Sequence, residues 1–188
     1  IGPHEILSRL PGAHVRRVAV RPGPVCADSA GLQLVAEEAL SDVTSADVLV
    51  LPGGGNEEIL REGESILDWV RSVHETTRWT VSICTGSLIL GAAGLLSGKV
   101  ATTHWALLEH LRLWGAEPVS RRIVESGKIM MAAGVSAGID MALALAAKIS
   151  GVQVAHSLQL GIEYDPDPPF DVGSPEKADP KIREALLA

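Results

Sequence analysis

Aromatic residues are scarce in this sequence. It contains one Phe, one Tyr and four Trp among 188 residues, although 46% of all residues are apolar. The core must therefore be built from aliphatic side chains. This apolar fraction, together with 21% charged residues, is typical of an ordered globular protein and excludes a disordered one. The length predicts a single domain over residues 1–188.

Clusters of positive charge and long apolar runs are also lacking. The formal net charge is −7 and no run of Lys and Arg exceeds two residues, which argues against a nucleic-acid partner. No run of about 18 apolar residues occurs, so we predict no membrane span. The two cysteines, Cys26 and Cys84, lie in no CxxC pair and at no zinc-ligand spacing. We therefore predict no metal and no cofactor, and a reducing, cytoplasmic location.

Short β-branched runs alternate with longer helical stretches along the chain, which predicts a layered α/β fold. The mostly unalternating aliphatic strands indicate a sheet covered by helices on both faces. Strands are predicted at residues 15–20, 48–51, 79–83, 100–102, 121–124 and 129–131, the last two joined by a hairpin turn at 125–128. Helices are predicted at residues 3–9, 65–76, 85–95, 105–113, 137–149 and 152–164.

The chain opens at a helix start, because Ile1-Gly2-Pro3 places proline in a first turn, where its missing N–H has no cost. A doubly wound domain usually begins with a strand at the centre of its sheet. We therefore expect a first strand before Ile1.

The segment Ser82-Ile83-Cys84-Thr85-Gly86 joins a predicted strand to a predicted helix. A nucleophile on such a sharp turn needs small residues two positions before and after it, and Ser82 and Gly86 meet that requirement. The helix N-terminus is expected to lower the pKa of the Cys84 thiol by stabilising the thiolate. The alternative is that Cys84 is a buried small apolar residue, the commonest fate of a free cysteine.

A second candidate element, Leu51-Pro52-Gly53-Gly54-Gly55-Asn56, ends the predicted strand 48–51. Gly53, Gly54 and Gly55 can direct backbone N–H groups into a crevice and form an oxyanion hole. The segment is not a P-loop, because no Gly-Lys-Ser/Thr follows; a plain strand-to-helix turn is the alternative. Both turns are expected at the carboxyl ends of strands, so they can face one crevice.

Two polar residues are further candidates. Thr85 offers a hydroxyl and an N–H beside the sulfur for a substrate or a catalytic acid, or it merely starts the helix. His104 follows another predicted strand and can border the pocket as a substrate-binding residue. The more ordinary alternative is a histidine that caps a helix or forms its hydrogen bonds within the protein.

These residues resemble the ThiJ/PfpI superfamily, whose members share a flavodoxin-like fold and a cysteine at such an elbow, and in particular its isonitrile hydratase branch. The resemblance implies a three-layer αβα sandwich with a mostly parallel sheet and a nucleophile elbow. The segments that carry it span nearly the whole chain: Ile1-Gly2-Pro3-His4-Glu5-Ile6-Leu7, Leu51-Pro52-Gly53-Gly54, residues 82–105, Ala137-Gly138-Ile139-Asp140 and residues 163–170.

The same resemblance implies an activity. Isonitrile hydratases add water to an isocyanide and release an N-substituted formamide, which here implies attack by the Cys84 thiolate and a thioimidate intermediate. Thr85 matches the Cys-Thr pair of that branch, and Gly53-Gly54 matches its anion-binding turn. The branch's catalytic aspartate falls at a position before Ile1. Relatives with protease or chaperone activity have His after the cysteine, so Thr85 argues against a Cys-His dyad.

Two other functions fit the same elbow. The block from Cys84 to Trp105 also resembles ligand-sensing domains of AraC-type transcription regulators, and a glyoxalase or deglycase would use the same thiolate on dicarbonyls. Only the short segment 181–188 follows the proline-rich stretch, and a helix-turn-helix region is not evident there. The resemblance further implies a homodimer, for which residues 105–113 and 158–162 supply apolar contact faces.

Overall fold

The computed structural model describes residues 1–28 and 31–187, and for Glu57 and Glu62 it describes the backbone alone. The strands are β1 Val18–Ala19, β2 Gly23–Cys26, β3 Gln33–Ala36, β4 Glu38–Ala39, β5 Val48–Leu51, β6 Trp79–Ile83, β7 Val100–Ala101, β8 Glu117–Pro118, β9 Ile123–Ser126 and β10 Ile129–Ala132. The helices are α1 Gly2–Leu7, α2 Glu57–Glu62, α3 Glu64–Thr76, α4 Gly86–Ala92, α5 Ala137–Ser150, α6 Val152–Gly161 and α7 Pro180–Leu187. Two 3-10 helices span Leu40–Asp42 and Trp105–Trp114.

The central sheet has four strands in the order β5-β6-β10-β9. The first three strands are parallel to one another. Strand β9 pairs antiparallel with β10 through the predicted hairpin, in which Ser126 pairs with Ile129 and Gly127 takes a φ of 61°. Strands β5 and β6 have the predicted bounds. Among the described residues, three further pairs of strands form, β1-β4, β2-β3 and β7-β8. The carboxyl ends of β5 and β6 lie side by side and carry the candidate site.

Side chains of the central strands are buried on both faces, as the alternation along β10 shows. Ile129 and Met131 pack with α3 and α4, whereas Met130 and Ala132 pack with α5. Because successive side chains of a strand point to opposite faces, helices must cover the sheet from both sides. A further layer of α1 and α6 packs behind α5 around Ile6. The layered α/β prediction is confirmed.

Several predicted boundaries are wrong. The strand at 15–20 is only two residues long, and the segment at 105–113 forms a 3-10 helix, Trp105–Trp114, rather than an α-helix. Helix α4 ends at Ala92 instead of residue 95, because Gly94 takes a φ of 78°. Helix α6 ends at Gly161 instead of residue 164, because Glu163 takes a φ of 51°. Left-handed backbone at these positions cannot continue a right-handed helix.

Several observed elements have no counterpart among the predicted ones, among them an antiparallel arm of β2 and β3, helix α2 and helix α7. The arm carries exposed apolar side chains, among them Val25, Leu34 and Val35. Its strands therefore show neither alternation nor a buried aliphatic run. Within the described residues, no helix has the length and apolar character needed to cross a bilayer.

A buried polar cluster closes the end of the sheet that lies away from the candidate site. His74 Nδ1 hydrogen-bonds with Thr80 Oγ1 at 2.8 Å, and Thr77 Oγ1 lies 2.9 Å from the same Thr80 oxygen. Lys128 Nζ donates to the carbonyl oxygens of His74 and Thr77. Burial lowers the pKa of the His74 imidazole, and the charge of Lys128 lowers it further.

This cluster predicts acid sensitivity of the fold. Because the folded-state pKa of His74 lies below its unfolded value of about 6.5, the unfolded chain takes up the proton first as the pH falls. The free energy of unfolding is therefore expected to decrease below about pH 7, until the folded state is protonated as well. His74→Asn keeps a polar partner for Thr80 but cannot take a proton, so its melting temperature is expected to fall less between pH 7.5 and pH 5.5.

The matched control is His156→Asn, since His156 is exposed on α6. It is expected to follow the wild-type pH profile. A His74→Asn profile that coincides with the wild type would contradict the assignment of acid sensitivity to this cluster.

Candidate active site

Cys84 occupies a strained turn between β6 and α4. Its φ is 55°, a left-handed conformation that is uncommon for a residue with a side chain. Two hydrogen bonds pin the turn: the Cys84 N–H donates to the Ala132 carbonyl oxygen (3.0 Å), and Thr103 Oγ1 donates to the Cys84 carbonyl oxygen (2.7 Å). The predicted elbow geometry is thus present, held by β10 on one side and by the segment after β7 on the other.

The flanking residues show why small side chains are needed here. A Cβ on Gly86 would lie 2.3 Å from the Leu51 carbonyl oxygen and 2.8 Å from that of Pro52, so α4 can begin only with glycine at this point. Ser82 is fully buried, and its Oγ lies 2.9 Å from Ser87 Oγ. The two small flanks therefore let the backbone double back onto the end of β5.

The glycine turn after β5 lies against the sulfur, as predicted for a shared crevice. A Cβ on Gly53 would come within 2.6 Å of Cys84 Cβ and 3.2 Å of Cys84 Sγ. Gly54 takes a φ of 147°, which residues with side chains rarely adopt. Glycine at both positions allows the turn to pass closely over Cys84.

The Thr85 hydroxyl ties the glycine turn to the elbow. It accepts hydrogen bonds from the Gly54 N–H (2.9 Å) and from Asn56 Nδ2 (3.0 Å), and it donates to the Gly54 carbonyl oxygen (2.8 Å). A hydroxyl has one hydrogen and two acceptor sites, so all of its capacity is used. The same hydroxyl can stabilise the Cys84 thiolate only if its hydrogen rotates away from the Gly54 carbonyl.

The pKa of the Cys84 thiol is raised, which corrects the expectation of a lowered value. Burial is the largest cause, since it disfavours the charged thiolate. The backbone N–H and the hydroxyl of Thr85 act in the opposite direction, and the charge of Asp28 raises the pKa further. The helix start supplies the expected donors, but burial outweighs them.

The N–H groups of Gly54 and Gly55, two of the three glycines predicted to form an oxyanion hole, are engaged with side chains. The Gly54 N–H bonds to Thr85 Oγ1, and the Gly55 N–H donates to Asp28 Oδ1 at 3.2 Å. A substrate anion would reach these donors only after displacing a side-chain oxygen. The oxyanion role of this turn therefore stays a prediction.

His104 caps the 3-10 helix Trp105–Trp114. Its Nδ1 accepts the Ala106 N–H at 3.4 Å, its ring centroid lies 5.7 Å from that of Trp105, and burial lowers the pKa of its imidazole. The capping alternative is confirmed, and a substrate-binding role stays a prediction. Within this segment, Thr103 supplies the hydrogen bond to the elbow.

Sequence reasoning missed three residues of the site: Asp28, Asn56 and Thr103. Thr103 directly follows the predicted strand at 100–102, and that position was a usable signal. Asn56 directly follows the glycines and was likewise accessible. Asp28 lies 27 residues from its partner Gly55, within the unpredicted arm, and no local pattern indicates it.

Comparison with known proteins places this geometry in a family. A family model described as the DJ-1/PfpI family matches residues 1–148. An isonitrile hydratase of Pseudomonas putida is 46% identical over 177 residues, which cover 94% of this chain and 77% of that protein. The helix-turn-helix-type transcriptional regulator CdhR of Pseudomonas aeruginosa is 31% identical over 71% of this chain, and the match spans only 40% of its own length.

Solved structures agree with the sequence comparison. The crystal structure of a ThiJ/PfpI family protein from Pseudomonas syringae superposes with a TM-score of 0.93 at 38% identity. The superposition covers 99% of this chain and 77% of that chain. The flavodoxin-like fold implied by the resemblance is therefore confirmed. The chain belongs to the DJ-1/PfpI family.

Proposed function

We propose that this protein adds water to an isocyanide and releases an N-substituted formamide, with Cys84 as the nucleophile. The observation that carries the proposal is the 46% identity to an isonitrile hydratase over 94% of the chain. The elbow supports it, because Cys84 takes a left-handed φ of 55° and its sulfur lies against Gly53 of the glycine turn.

The first chemical step forms a carbon–sulfur bond. The thiol of Cys84 loses its proton, its sulfur attacks the terminal carbon of the isocyanide, and that carbon gains a proton to give a thioimidate. Since burial raises the pKa of the thiol, donors beside the sulfur are needed to stabilise the thiolate as it forms. The Thr85 N–H faces the sulfur, and rotation of its hydroxyl adds a second donor as the charge develops.

The second step consumes water. Its oxygen adds to the thioimidate carbon, one water proton passes to the nitrogen, and the carbon–sulfur bond breaks. The formamide leaves and the remaining proton returns to sulfur, so the thiol is regenerated without any oxidant or cofactor. Gly54 and Asn56, both bound to Thr85, hold the turn over this intermediate.

The proposal is tested with the wild-type protein, an aryl isocyanide and chromatographic detection of the formamide. Formamide is expected well above the rate without protein, and methylglyoxal given to the same preparation is expected to yield no lactate. Lactate without formamide would replace the proposed hydratase by a glyoxalase that uses the same cysteine.

The match to CdhR favours one alternative, a ligand-sensing domain that shares the elbow without turnover. In that case an isocyanide or another electrophile would bind at Cys84 and raise the melting temperature, but no product would accumulate. A melting temperature that rises with the ligand, without formation of product, therefore identifies the protein as a ligand-sensing domain.

We also propose a homodimer in the cytoplasm. Leu113 and Leu160 are 74% and 82% exposed, and each lies on one of the two predicted contact faces. Cys26 and Cys84 are both free thiols, which suits a reducing compartment. Sedimentation velocity is expected to give twice the mass of the chain, and a monomer at micromolar concentration would contradict the dimer.

A further inference from the structure

The side chain of Asn56 does not serve the helix that it begins. Asn56 is the N-cap residue of α2, a position where the oxygen of an Asn side chain usually accepts an N–H of the first turn. Among the described residues no such bond forms, although Asn56 is buried. Its Nδ2 donates instead to Thr85 Oγ1 at 3.0 Å, 29 residues further along the chain. The amide is therefore committed to the elbow.

This contact decides how the Thr85 hydroxyl can bond. A hydroxyl oxygen accepts two hydrogen bonds and donates one. The Gly54 N–H fills one acceptor site at 2.9 Å, and the Asn56 amide fills the other at 3.0 Å. A further donor, such as the S–H of the adjacent Cys84, then finds no free acceptor site on this oxygen. The hydroxyl can therefore bond to the sulfur in one way, by donating its hydrogen.

The direction of this bond matters for the thiol. The hydroxyl hydrogen can go to the Gly54 carbonyl oxygen, 2.8 Å from Thr85 Oγ1, or to the sulfur. Burial raises the pKa of the Cys84 thiol, the N–H and the hydroxyl of Thr85 lower it, and the charge of Asp28 raises it. A hydrogen bond donated to sulfur favours the thiolate, whereas an accepted S–H would favour the neutral thiol. The Asn56 amide therefore blocks the arrangement that would hold the thiol neutral.

We infer that Asn56 is a positioning residue, which keeps the Thr85 hydroxyl as a hydrogen-bond donor toward the sulfur of Cys84. It acts on the sulfur through Thr85. The hydroxyl hydrogen moves between the Gly54 carbonyl and the sulfur by rotation about the Cβ–Oγ1 bond, so no covalent bond changes. The inference deepens the proposed function, and its consequence for turnover rests on that function.

Asn56→Leu tests this role, because leucine has as many side-chain heavy atoms as asparagine but no donor. One acceptor site of Thr85 is then open to the S–H, which stabilises the neutral thiol. The test uses a Cys26→Ser background, in which Cys84 is the only thiol. The rate of its alkylation by iodoacetamide at pH 7.5 is expected to fall about three- to tenfold. The midpoint of the pH profile of alkylation is expected to move to higher pH.

A double-mutant cycle separates an action through Thr85 from a general effect on the turn. Thr85→Val keeps the branched shape of threonine and removes the hydroxyl. When Asn56→Leu is added to Thr85→Val, the midpoint is expected to stay where Thr85→Val alone places it. A shift as large in this background as in the presence of the hydroxyl overturns the inference. A midpoint that Asn56→Leu alone leaves unchanged overturns it as well.

A second variant and a control accompany the cycle. Asn56→Ala removes the same donor without a larger side chain, is expected to move the midpoint in the same direction, and decides the question if the leucine variant does not fold. The matched control is Gln159→Met, which removes an exposed side-chain amide of α6 that donates to the Tyr164 carbonyl oxygen at 3.1 Å. Its pH profile is expected to coincide with that of the Cys26→Ser parent.

Turnover is measured separately from alkylation. Formamide production by Asn56→Leu at pH 7.5 is expected to fall by a similar factor, about three- to tenfold, and to approach the wild-type rate at higher pH, where the thiolate forms more readily. Absence of formamide with the wild-type protein would contradict the proposed function. The alkylation profiles require no isocyanide, so they decide for or against the role of Asn56 in either case.

Discussion

Formamide production is expected to disappear when Cys84 is replaced by Ala or Ser. The Ala variant has no nucleophile at the elbow, and the Ser variant has a hydroxyl, which is a weak nucleophile without strong activation. We expect a loss of at least about 10³-fold in kcat/KM for both variants, since removal of a covalent nucleophile commonly costs this much or more. The measurement is initial-rate formation of formamide from an aryl isocyanide.

Cys26→Ser is the matched control for that loss. Cys26 is the other cysteine of the chain, exposed at the end of β2, where its sulfur accepts a hydrogen bond from Gln33 Nε2 at 3.6 Å. Its replacement is expected to leave the rate within about twofold of the wild type, in line with ordinary surface substitutions. More than a tenth of wild-type activity in Cys84→Ala would remove Cys84 from the mechanism.

The elements that sequence predicted with their correct bounds are those whose local pattern matches their final environment. Strand β5 is a run of Val and Leu, four of the five residues of β6 are buried, and Ser82 and Gly86 stand at the expected spacing on either side of Cys84. The atoms that exclude a side chain at residue 86 belong to Leu51 and Pro52, which are distant in the chain, but the small residues that this turn requires lie at a fixed spacing around the cysteine. They can therefore be read from sequence alone.

The features that escaped prediction depend on distant parts of the chain or on burial. The arm formed by β2 and β3 has short strands with exposed apolar residues. Its sequence therefore shows neither the alternation of apolar and polar residues nor the continuous aliphatic run by which strands are predicted. Asp28 reaches the site only through that arm. The pKa of the Cys84 thiol was expected to be lowered but is raised. The helix start, which lowers it, is visible in the sequence, whereas the depth of burial, which raises it, is not.

Gly86→Ala is expected to produce the largest loss of stability among single methyl additions at the site. The added Cβ would lie 2.3 Å from the Leu51 carbonyl oxygen, 2.8 Å from the Pro52 carbonyl oxygen and 3.0 Å from the Leu51 carbonyl carbon. These are backbone atoms at the end of a central strand, and they cannot move aside as a flexible side chain can. We expect a loss of about 3 kcal/mol, the upper end of the range for overpacked sites. For a protein of this size, that corresponds to a melting temperature lower by roughly 6–12 °C.

The control for this substitution is Gly161→Ala at the end of α6. No heavy atom lies within 4 Å of the position that its Cβ would take, and its φ is not left-handed. The same chemical change is there expected to leave stability unchanged or raise it by up to about 1 kcal/mol, because alanine restricts the unfolded chain more than glycine does. Thermal unfolding of both variants separates a clash from the general effect of replacing glycine. If Gly86→Ala melts within about 2 °C of the wild type, α4 and the end of β5 can move apart. The elbow then does not require a residue without a side chain two positions after Cys84.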